Sequence, residues 1–374
     1  MHSSATINPR TEIASPLPAP CAQHVDIERV DARDSRAEIV SLFERNGNSQ
    51  FARQFDWYYR DRGQETPLSW VLRDRKGRVS GLCSVTIRGL RFGTMAVRAG
   101  VAGNLLVGRG SGTYLGAFSL VRALKSLVNE KEIDILLGIP NQLAHPVFSR
   151  LGFTTIDHWT TYAQISESRD LLSFNFGLLG RVASPLVDLA AAARRGLSHW
   201  GQAAFSRFRA IELSESELNK VRFEDWPSPH RRFLSASTGE YLKWRFLRTP
   251  SQEYSMVALV SPKYEVCGYL VLRCSPGRIW VADCGVDHRQ LTEAAAILCF
   301  CHDRRALGST VWVPTLTSDV LSSELSFCGF TRMPAQWGGY PDFSLLAYWR
   351  PDHSLAAAFA EPTSWKLFSG FNDV

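Results

Sequence analysis

The stretch NLLVGRGSGTYLGAFSLVRAL, residues 104–124, decides the fold. An apolar run leads into closely spaced glycines and then into apolar residues at helical spacing, which predicts a strand, a loop and a helix. Glycines let the backbone approach a ligand closely, and free N–H groups at a helix start favour an anion. The loop has neither the Gly-Lys-Ser/Thr of a P-loop nor the full G-x-G-x-x-G register of a dinucleotide site. Taken alone, it fits a phosphate cradle and a flexible turn equally well.

A second informative stretch is LLGIPNQLAHPVFSRLGF, residues 136–153. It predicts a buried strand at 133–139 and a short helix at 141–150. Asn141 and His145 follow the carboxyl end of the strand, which is where open α/β sheets bind ligands. This pattern therefore favours a site at the end of that strand.

The chain contains an internal repeat. When Trp57 is aligned with Trp244, Gly81 falls on Gly268, each 24 residues after its tryptophan. Both copies place an apolar strand and a charged turn in between, and they end alike, in SRLGF and SFCGF. Two units of similar size and layout indicate a duplicated domain.

In the first copy, the pattern predicts two helices before the sheet, at 36–47 and 54–61. It then predicts three successive strands at 79–87, 90–97 and 101–107, with a turn near Gly89.

Composition shifts divide the chain. Residues 1–24 are rich in Ser, Ala and Pro without a hydrophobic stretch, which predicts a disordered tail and not a signal peptide. We expect one domain at 25–166 and another at 211–374. The Ala- and Leu-rich segment 167–210 predicts a helical connector with a break before Pro185. Attachment to a membrane surface through its Arg and Trp residues is the alternative for this segment.

The charge pattern excludes some partners. The chain has 374 residues and a net charge of +6, and its basic residues are scattered without interleaved aromatics. We therefore predict no nucleic-acid partner, whereas a mild basic excess suits a polyanionic cofactor. No apolar run approaches the ~18 residues of a membrane span, so we expect no stable membrane insertion and a cytoplasmic location.

Eight cysteines occur without any C-x-x-C pair, mostly within apolar runs. They predict buried free thiols in a reducing compartment. Cys299, Cys301 and His302 have metal-ligating side chains, but their place in an apolar helix favours a core role. We therefore predict no metal site.

The order of elements resembles the GNAT acyltransferase superfamily. Antiparallel strands are followed by strand, glycine loop, helix, strand, helix and strand. Asn141, Ala144 and Gly152-Phe153 match the superfamily's spaced Asn, Ala and Gly-Phe. The resemblance covers about 35–165, and the second copy shares it less closely because it has no glycine loop. It implies an α/β (α+β) fold of two tandem GNAT-like domains, each a mixed, mostly antiparallel sheet flanked by helices.

The resemblance also implies a site for acetyl-CoA or another acyl-CoA, with the backbone of strand 101–107 binding the oxyanion. The implied cofactor-binding residues are Leu106, Val107, Arg109, Gly110, Gly112, Thr113, Tyr114, Gly116 and Asn141. Phe148 takes the position where the superfamily often has a Tyr that acts as general acid.

The catalytic candidates are therefore His145, as a general base, and Asn104. His145 also fits an ordinary histidine at a helix surface, and Ser149 and Tyr114 are weaker proton carriers. In the second copy, Asp283 and His288 could face the acceptor, although loop capping is the simpler interpretation.

These features predict an acyl-CoA-dependent acyltransferase that moves an acetyl or other acyl group to an amine or hydroxyl. Tandem chains with a WRF helix resemble bacterial proteins linked to cell-surface polysaccharide modification, which implies a small-molecule or sugar acceptor. Two alternatives stay open. One is a Fem-type aminoacyl or peptidyl transferase, and the other is a non-catalytic GNAT-like binding protein.

Overall fold

The structure is a computed structural model. It describes residues 26–61, 66–108, 113–165, 168, 177–179, 181–190, 208–219, 221, 223, 226, 232–235, 237–250, 253–303, 310–335 and 343–371. The predicted tail, residues 109–112 of the glycine loop and most of the predicted connector lie outside the described residues.

The strands of the first part of the chain are β1 (Asp26–Val30), β2 (Leu68–Arg73), β3 (Val79–Phe92), β4 (Met95–Val107), β5 (Ile135–Gly138) and β6 (Thr154–Gln164). Those of the second part are β7 (Arg209–Glu212), β8 (Phe233–Ser235), β9 (Tyr254–Val260), β10 (Val266–Ser275), β11 (Arg278–Val286), β12 (Thr310–Leu316), β13 (Thr331–Met333), β14 (Ser344–Trp349) and β15 (Trp365–Lys366).

The first helices are α1 (Arg36–Arg45), α2 (Ser49–Tyr59), α3 (Thr113–Leu124), α4 (Ser126–Asn129), α5 (His145–Arg150) and α6 (181–190). The later ones are α7 (Glu215–Leu218), α8 (Gly239–Leu242), which continues as a π-helix (Lys243–Leu247), α9 (Glu293–Asp303), α10 (Val320–Phe327) and α11 (Ala356–Ala360).

One continuous sheet runs through the molecule, in the order β1-β2-β3-β4-β5-β14-β6-β12-β11-β10-β9-β7. Most neighbours are antiparallel, and β4 with β5 and β11 with β12 are parallel. Helix α3 packs on one face of the first half of the sheet, and α9 belongs to the core of the second half. The predicted fold class, a mixed and mostly antiparallel sheet flanked by helices, is confirmed.

The two parts of the chain exchange strands in the middle of this sheet. The first half of β6 pairs with β14, and its second half pairs with β12 and β13. Strand β14 of the second part in turn lies between β5 and β6 of the first part, which are far from it in sequence. Each part thus completes the sheet of the other. The division into domains at 25–166 and 211–374 stays a prediction.

The two tryptophans aligned by the repeat meet in the core. Their rings stack at 4.9 Å with an interplanar angle of 13°. Trp57 Nε1 donates to the Trp244 carbonyl at 3.0 Å, and Trp244 Nε1 donates to the Trp57 carbonyl at 2.9 Å. Because the contacts are reciprocal, α2 and the π-helix meet about a local two-fold relation.

The predicted positions of two chain breaks are wrong. The turn expected near Gly89 lies at Gly93, which has a left-handed φ of 60°, so β3 and β4 form one long hairpin. The break expected before Pro185 is absent, because α6 runs through it. Proline removes the N–H that would bond to the Arg181 carbonyl, and the Ser184 hydroxyl donates to that carbonyl instead, at 2.9 Å.

The cysteine prediction is confirmed for most of the described thiols. Five are buried, Cys328 is half-buried and Cys274 is exposed. Cys299 and Cys301 pack in the core of the second half. Within the described part of the chain, no cluster of His, Cys, Asp and Glu could hold a metal ion. Nor does any described helix have the length and apolar character needed to cross a membrane.

Candidate active site

The candidate site is a cleft where β4 and β5 separate. Their parallel pairing runs from Ala99 opposite Ile135 to Ala102 opposite Gly138 and stops there, while β4 continues to Val107 against β3. The backbone edge of β4 beyond Ala102 therefore faces the cleft and not another described strand. Such an edge can pair with an extended ligand.

A β-bulge in β4 lies at the mouth of this cleft. Leu82 of β3 is opposite Leu106, but Ser84 is opposite Gly103, so β4 carries one extra residue. Asn104 lies at this bulge with a left-handed φ of 54°. Bulges turn backbone groups out of the ladder, and strained non-glycine residues concentrate at functional sites. The backbone here can present an N–H group to a ligand.

A buried chain of hydrogen bonds fixes the Asn104 side chain. Asn104 Nδ2 donates to the Tyr59 hydroxyl at 3.0 Å, Tyr59 lies 2.8 Å from Ser84 Oγ, and Ser84 Oγ lies 3.0 Å from Ser69 Oγ. Ser69 ends the chain by donating to the Pro67 carbonyl at 3.4 Å. A carbonyl only accepts, so every hydroxyl in the chain donates towards Pro67.

This direction leaves Asn104 Oδ1 as an acceptor towards the cavity. The atom is buried and has no hydrogen-bond partner among the described residues. A buried polar atom without a partner costs about 1–3 kcal/mol, and a ligand group that donates to Asn104 Oδ1 would remove this cost. Burial raises the pKa of Tyr59 far above its usual value, so its hydroxyl stays protonated and can donate to Ser84 Oγ.

The cleft encloses a cavity of about 340 Å³. Asn104 borders it, and most of the other lining groups are apolar. They include Phe43, Phe51, Leu106, Ile139, Phe148 and Phe343. The cavity therefore suits an apolar chain that carries one or two polar groups.

The structure describes only some of the residues predicted to form the glycine loop and the helix start after it. Arg109, Gly110 and Gly112 lie outside the described residues. Thr113 begins α3, and its Oγ1 donates to the Gly108 carbonyl at 3.1 Å. Gly116 is buried under α3, where an added Cβ would lie 2.8 Å from Leu72 Cδ2. Close packing of the helix on the sheet, not approach to a ligand, requires glycine there.

Leu106 lines the cavity, whereas the Val107 side chain points to the other face, against Gly116. Tyr114 is exposed, and its hydroxyl accepts from Arg150 Nη1 at 2.8 Å. Asn141 lines the cavity, and its Oδ1 accepts from the backbone N–H groups of Leu143 and Ala144, at 3.1 and 3.0 Å. These bonds form a turn ahead of α5, so the helix begins at His145 and not at 141 as predicted.

His145 is not among the residues that line this cavity, and its Nδ1 lies 3.4 Å from Ser149 Oγ on the outside of α5. Phe148 does line it. An added Cβ on Gly138 would lie 2.8 Å from the Phe148 ring, which also packs edge-on against Phe153 at 4.9 Å. Phe148 thus forms an apolar wall where a proton donor was expected.

Asp283 and His288 line a second cavity in the other half of the sheet. Asp283 Oδ2 accepts from the Tyr269 hydroxyl at 3.2 Å, and burial raises the pKa of this carboxyl to about 6. His288 Nε2 lies 3.2 Å from Glu293 Oε1. The loop-capping role expected of Asp283 belongs instead to Asp287, which accepts from the Arg289 backbone N–H.

Sequence reasoning missed Tyr59, Ser84 and Ser69. Tyr59 looks like one more aromatic residue of an apolar helix, and the two serines lie inside strands that read as ordinary core. Only the pairing of β2 with β3 and the packing of α2 bring the three hydroxyls together.

No protein-family model matches the chain, and no curated protein sequence matches it. Solved structures do. A probable N-acyltransferase from Enterococcus faecalis V583 is 9% identical, covers 87% of this chain and 72% of its own, and has a TM-score of 0.59. A GCN5-related N-acetyltransferase from Anabaena variabilis ATCC 29413 is 11% identical over 86% and 72%, with a TM-score of 0.56.

The N-myristoyltransferase of Saccharomyces cerevisiae, solved with bound myristoyl-CoA, is 11% identical and has a TM-score of 0.53. The similarity covers 97% of this chain and 94% of that one. At these identities the likeness is one of fold. The chain shares the fold of these solved N-acyltransferase structures.

Proposed function

We propose that the chain is an acyl-CoA-dependent acyltransferase and that the thioester binds in the cleft between β4 and β5. The observation that carries the proposal is the separation of these strands at Ala102 and Gly138, over a cavity bordered by Asn104. The fold supports it, since the yeast N-myristoyltransferase of similar fold was solved with an acyl-CoA.

The cleft offers a separate contact to each part of an acyl-CoA. The open edge of β4 pairs with the amide groups of the pantetheine arm. The N–H groups in the first turn of α3, a helix of 12 residues, face the pyrophosphate. The apolar wall that includes Phe148 and Phe343 contacts the acyl group. A backbone N–H at the bulge donates to the thioester oxygen, where negative charge develops during attack.

Asn104 orients the nucleophile in this proposal. Its Oδ1 accepts a hydrogen bond from the attacking amine or hydroxyl, because the buried chain through Tyr59 leaves that atom no other described donor. An amide oxygen is too weak a base to take up a proton, so Asn104 positions the acceptor and does not act as a base. As the C–S bond breaks, coenzyme A leaves as its thiolate, and the proton released by the acceptor goes to that thiolate, directly or through water. Positioning alone supplies much of the rate in attack on a thioester.

The acceptor that we propose is an amine or hydroxyl of a sugar or polysaccharide precursor, and this rests on the family resemblance of the sequence. A cytoplasmic location is part of the same proposal, because coenzyme A thioesters and free thiols share a reducing compartment. His145 as general base stays a prediction.

Titration calorimetry with acetyl-CoA and palmitoyl-CoA tests the proposal. Ala144→Trp places an indole in the cavity, whereas Ser149→Trp places one on the exposed side of the same helix and serves as the matched control. Ala144 is the N-cap of α5 and Ser149 lies in its last turn. We expect the first variant to lose acyl-CoA binding at least tenfold and the second to bind as the wild type does.

If the wild-type chain binds neither thioester, the proposal is wrong. Binding without turnover on a panel of amines and sugars would favour the non-catalytic alternative. Tight binding of tRNA that weakens steeply with salt would favour the Fem-type alternative.

A further inference from the structure

Helix α6 exposes an apolar face. Val182, Leu186 and Leu189 share one side of the helix, and Leu178 and Leu179 come one helical turn before Val182. Each of these five side chains is between 68% and 80% exposed. We call the five residues the outer face of α6. A helix on the surface of a globular protein normally turns such a face towards the core.

The inner side of α6 is polar. Asp188 Oδ1 accepts from the Ser168 backbone N–H at 2.7 Å, and Ser168 Oγ donates to the Ser184 carbonyl at 3.1 Å. Ser184 is buried and Asp188 is half-buried. Each lies two residues from Leu186, which places it on the far side of the helix. Hydrogen bonds therefore hold α6 with its polar side inward and its apolar side outward.

The sequence around α6 is basic. Residues 171–210 contain five arginines, and Asp188 is the one acidic residue among them. Asp188 is turned inward and bonded to Ser168, whereas Arg181 is exposed at the start of the helix. An apolar helix face in a basic segment is the combination that binds the surface of an anionic bilayer.

A lipid surface fits this face better than a second copy of the chain does. A stable protein interface takes about 20–30 residues a side, whereas the outer face of α6 has five. Two copies that met through α6 would also bring two basic segments together, and like charges repel. A bilayer surface accepts a single helix and attracts its arginines.

Helix α6 is anchored on the side of the sheet where the first cleft opens. Strands β5 and β6 run in the same direction, because each pairs antiparallel with β14. The carboxyl ends of both strands therefore point to the same edge of the sheet, and Ser168, which binds α6, follows the end of β6. A lipid surface at α6 would lie at this edge.

We propose that α6 docks the protein on an anionic lipid surface, with its outer face among the acyl chains and Arg181 at the headgroups. The helix lies in the plane of the interface, as amphipathic helices of this kind do. The proposal stands apart from acyl transfer and needs no ligand in the first cleft.

Sedimentation with lipid vesicles tests the proposal on the full chain. Unilamellar vesicles of phosphatidylcholine alone are compared with vesicles that contain about one third phosphatidylglycerol, at low salt. We expect the wild type to bind the anionic vesicles at least about tenfold more tightly. Added sodium chloride should weaken this binding steeply, because salt screens the charges.

Three variants identify the surface that binds. Leu186→Gln combined with Leu189→Gln should weaken binding to anionic vesicles at least about tenfold, because it makes the outer face polar. Phe327→Gln is the matched control, since Phe327 is 85% exposed on α10, and it should bind as the wild type does. Arg181→Gln should weaken binding to anionic vesicles about fivefold and leave binding to phosphatidylcholine unchanged.

The proposal is overturned if the wild type binds neither kind of vesicle, or binds both equally at low salt. It is also overturned if the double variant, shown to be folded by circular dichroism, loses no more affinity than Phe327→Gln. A dimer in analytical ultracentrifugation that the double variant disrupts, without vesicle binding by the wild type, would assign the outer face of α6 to a second copy instead.

Discussion

Replacing Asp283 by Asn should make the protein more stable at neutral pH. Burial raises the pKa of this carboxyl from 3.8 to about 6, so the fold holds the ionised form at a cost. At about 1.4 kcal/mol for each tenfold change in acidity, that cost comes to about 3 kcal/mol. Asparagine has the same shape, can still accept from the Cys284 N–H and carries no charge.

The sign of the pH dependence follows from the raised pKa. Below about pH 4 the carboxyl is protonated in both folded and unfolded chains, so it costs nothing there. Between pH 4 and pH 6 the unfolded chain releases the proton first, and the cost grows until it is complete above pH 6. The variant should therefore match the wild type at pH 4 and exceed it by up to about 3 kcal/mol at pH 8.

Urea denaturation of both chains at pH 4, 6 and 8, followed by tryptophan fluorescence, measures this difference. A variant that is less stable than the wild type at pH 8, or a difference that does not change with pH, would refute the reasoning.

Three further predictions concern other parts of the molecule. Asn104→Gly introduces a residue that tolerates the φ of 54° at this position. It should lower kcat for acyl transfer about tenfold. Calorimetry should show an acyl-CoA Kd within twofold of the wild-type value. Lys366→Met leaves the buried Glu293 carboxylate without its ammonium and should cost about 3 kcal/mol in urea denaturation, most of which Glu293→Gln in the same chain restores. Trp57→Phe and Trp244→Phe each remove one of two reciprocal hydrogen bonds, so each should cost about 2 kcal/mol, and the double variant should cost less than their sum.

Much of the first half was predictable because its signals are local. The end of β4 and helix α3 follow from periodicity over short windows, and β5 follows from its apolar run. The alignment of Trp57 with Trp244 rests on the internal repeat of the sequence alone, yet it identifies two residues that stack on each other. Residues at equivalent positions of a repeat meet when the two units pack about a two-fold relation.

Strand exchange was not predictable from the same signals. The sequence of an apolar strand such as β14 does not indicate which strand it will pair with. Its partner β5 lies about 200 residues away in sequence. The same holds for the pair of Lys366 with Glu293, since neither residue lies in a recognisable motif. Gly116 shows a different limit, because close helix packing and approach to a ligand both require glycine.

The location of the candidate site could be predicted from the sequence, but the orientation of its polar groups could not. Asn104, Leu106 and Asn141 all border the cavity between β4 and β5. The direction of the Asn104 amide could not be foreseen, because it depends on hydroxyls from α2, β2 and β3 and on the Pro67 carbonyl that ends their chain.

Hydrogen–deuterium exchange on the full chain, with and without a non-hydrolysable thioether analogue of acetyl-CoA, tests the central claim most directly. Binding at the open edge of β4 should slow exchange of the backbone amides at 103–107 and of those around Asn141, while the amides at 283–293 exchange as before. Protection at 283–293, or none at 103–107 at a saturating concentration of the analogue, would contradict the assignment of the acyl-CoA site to the first cleft.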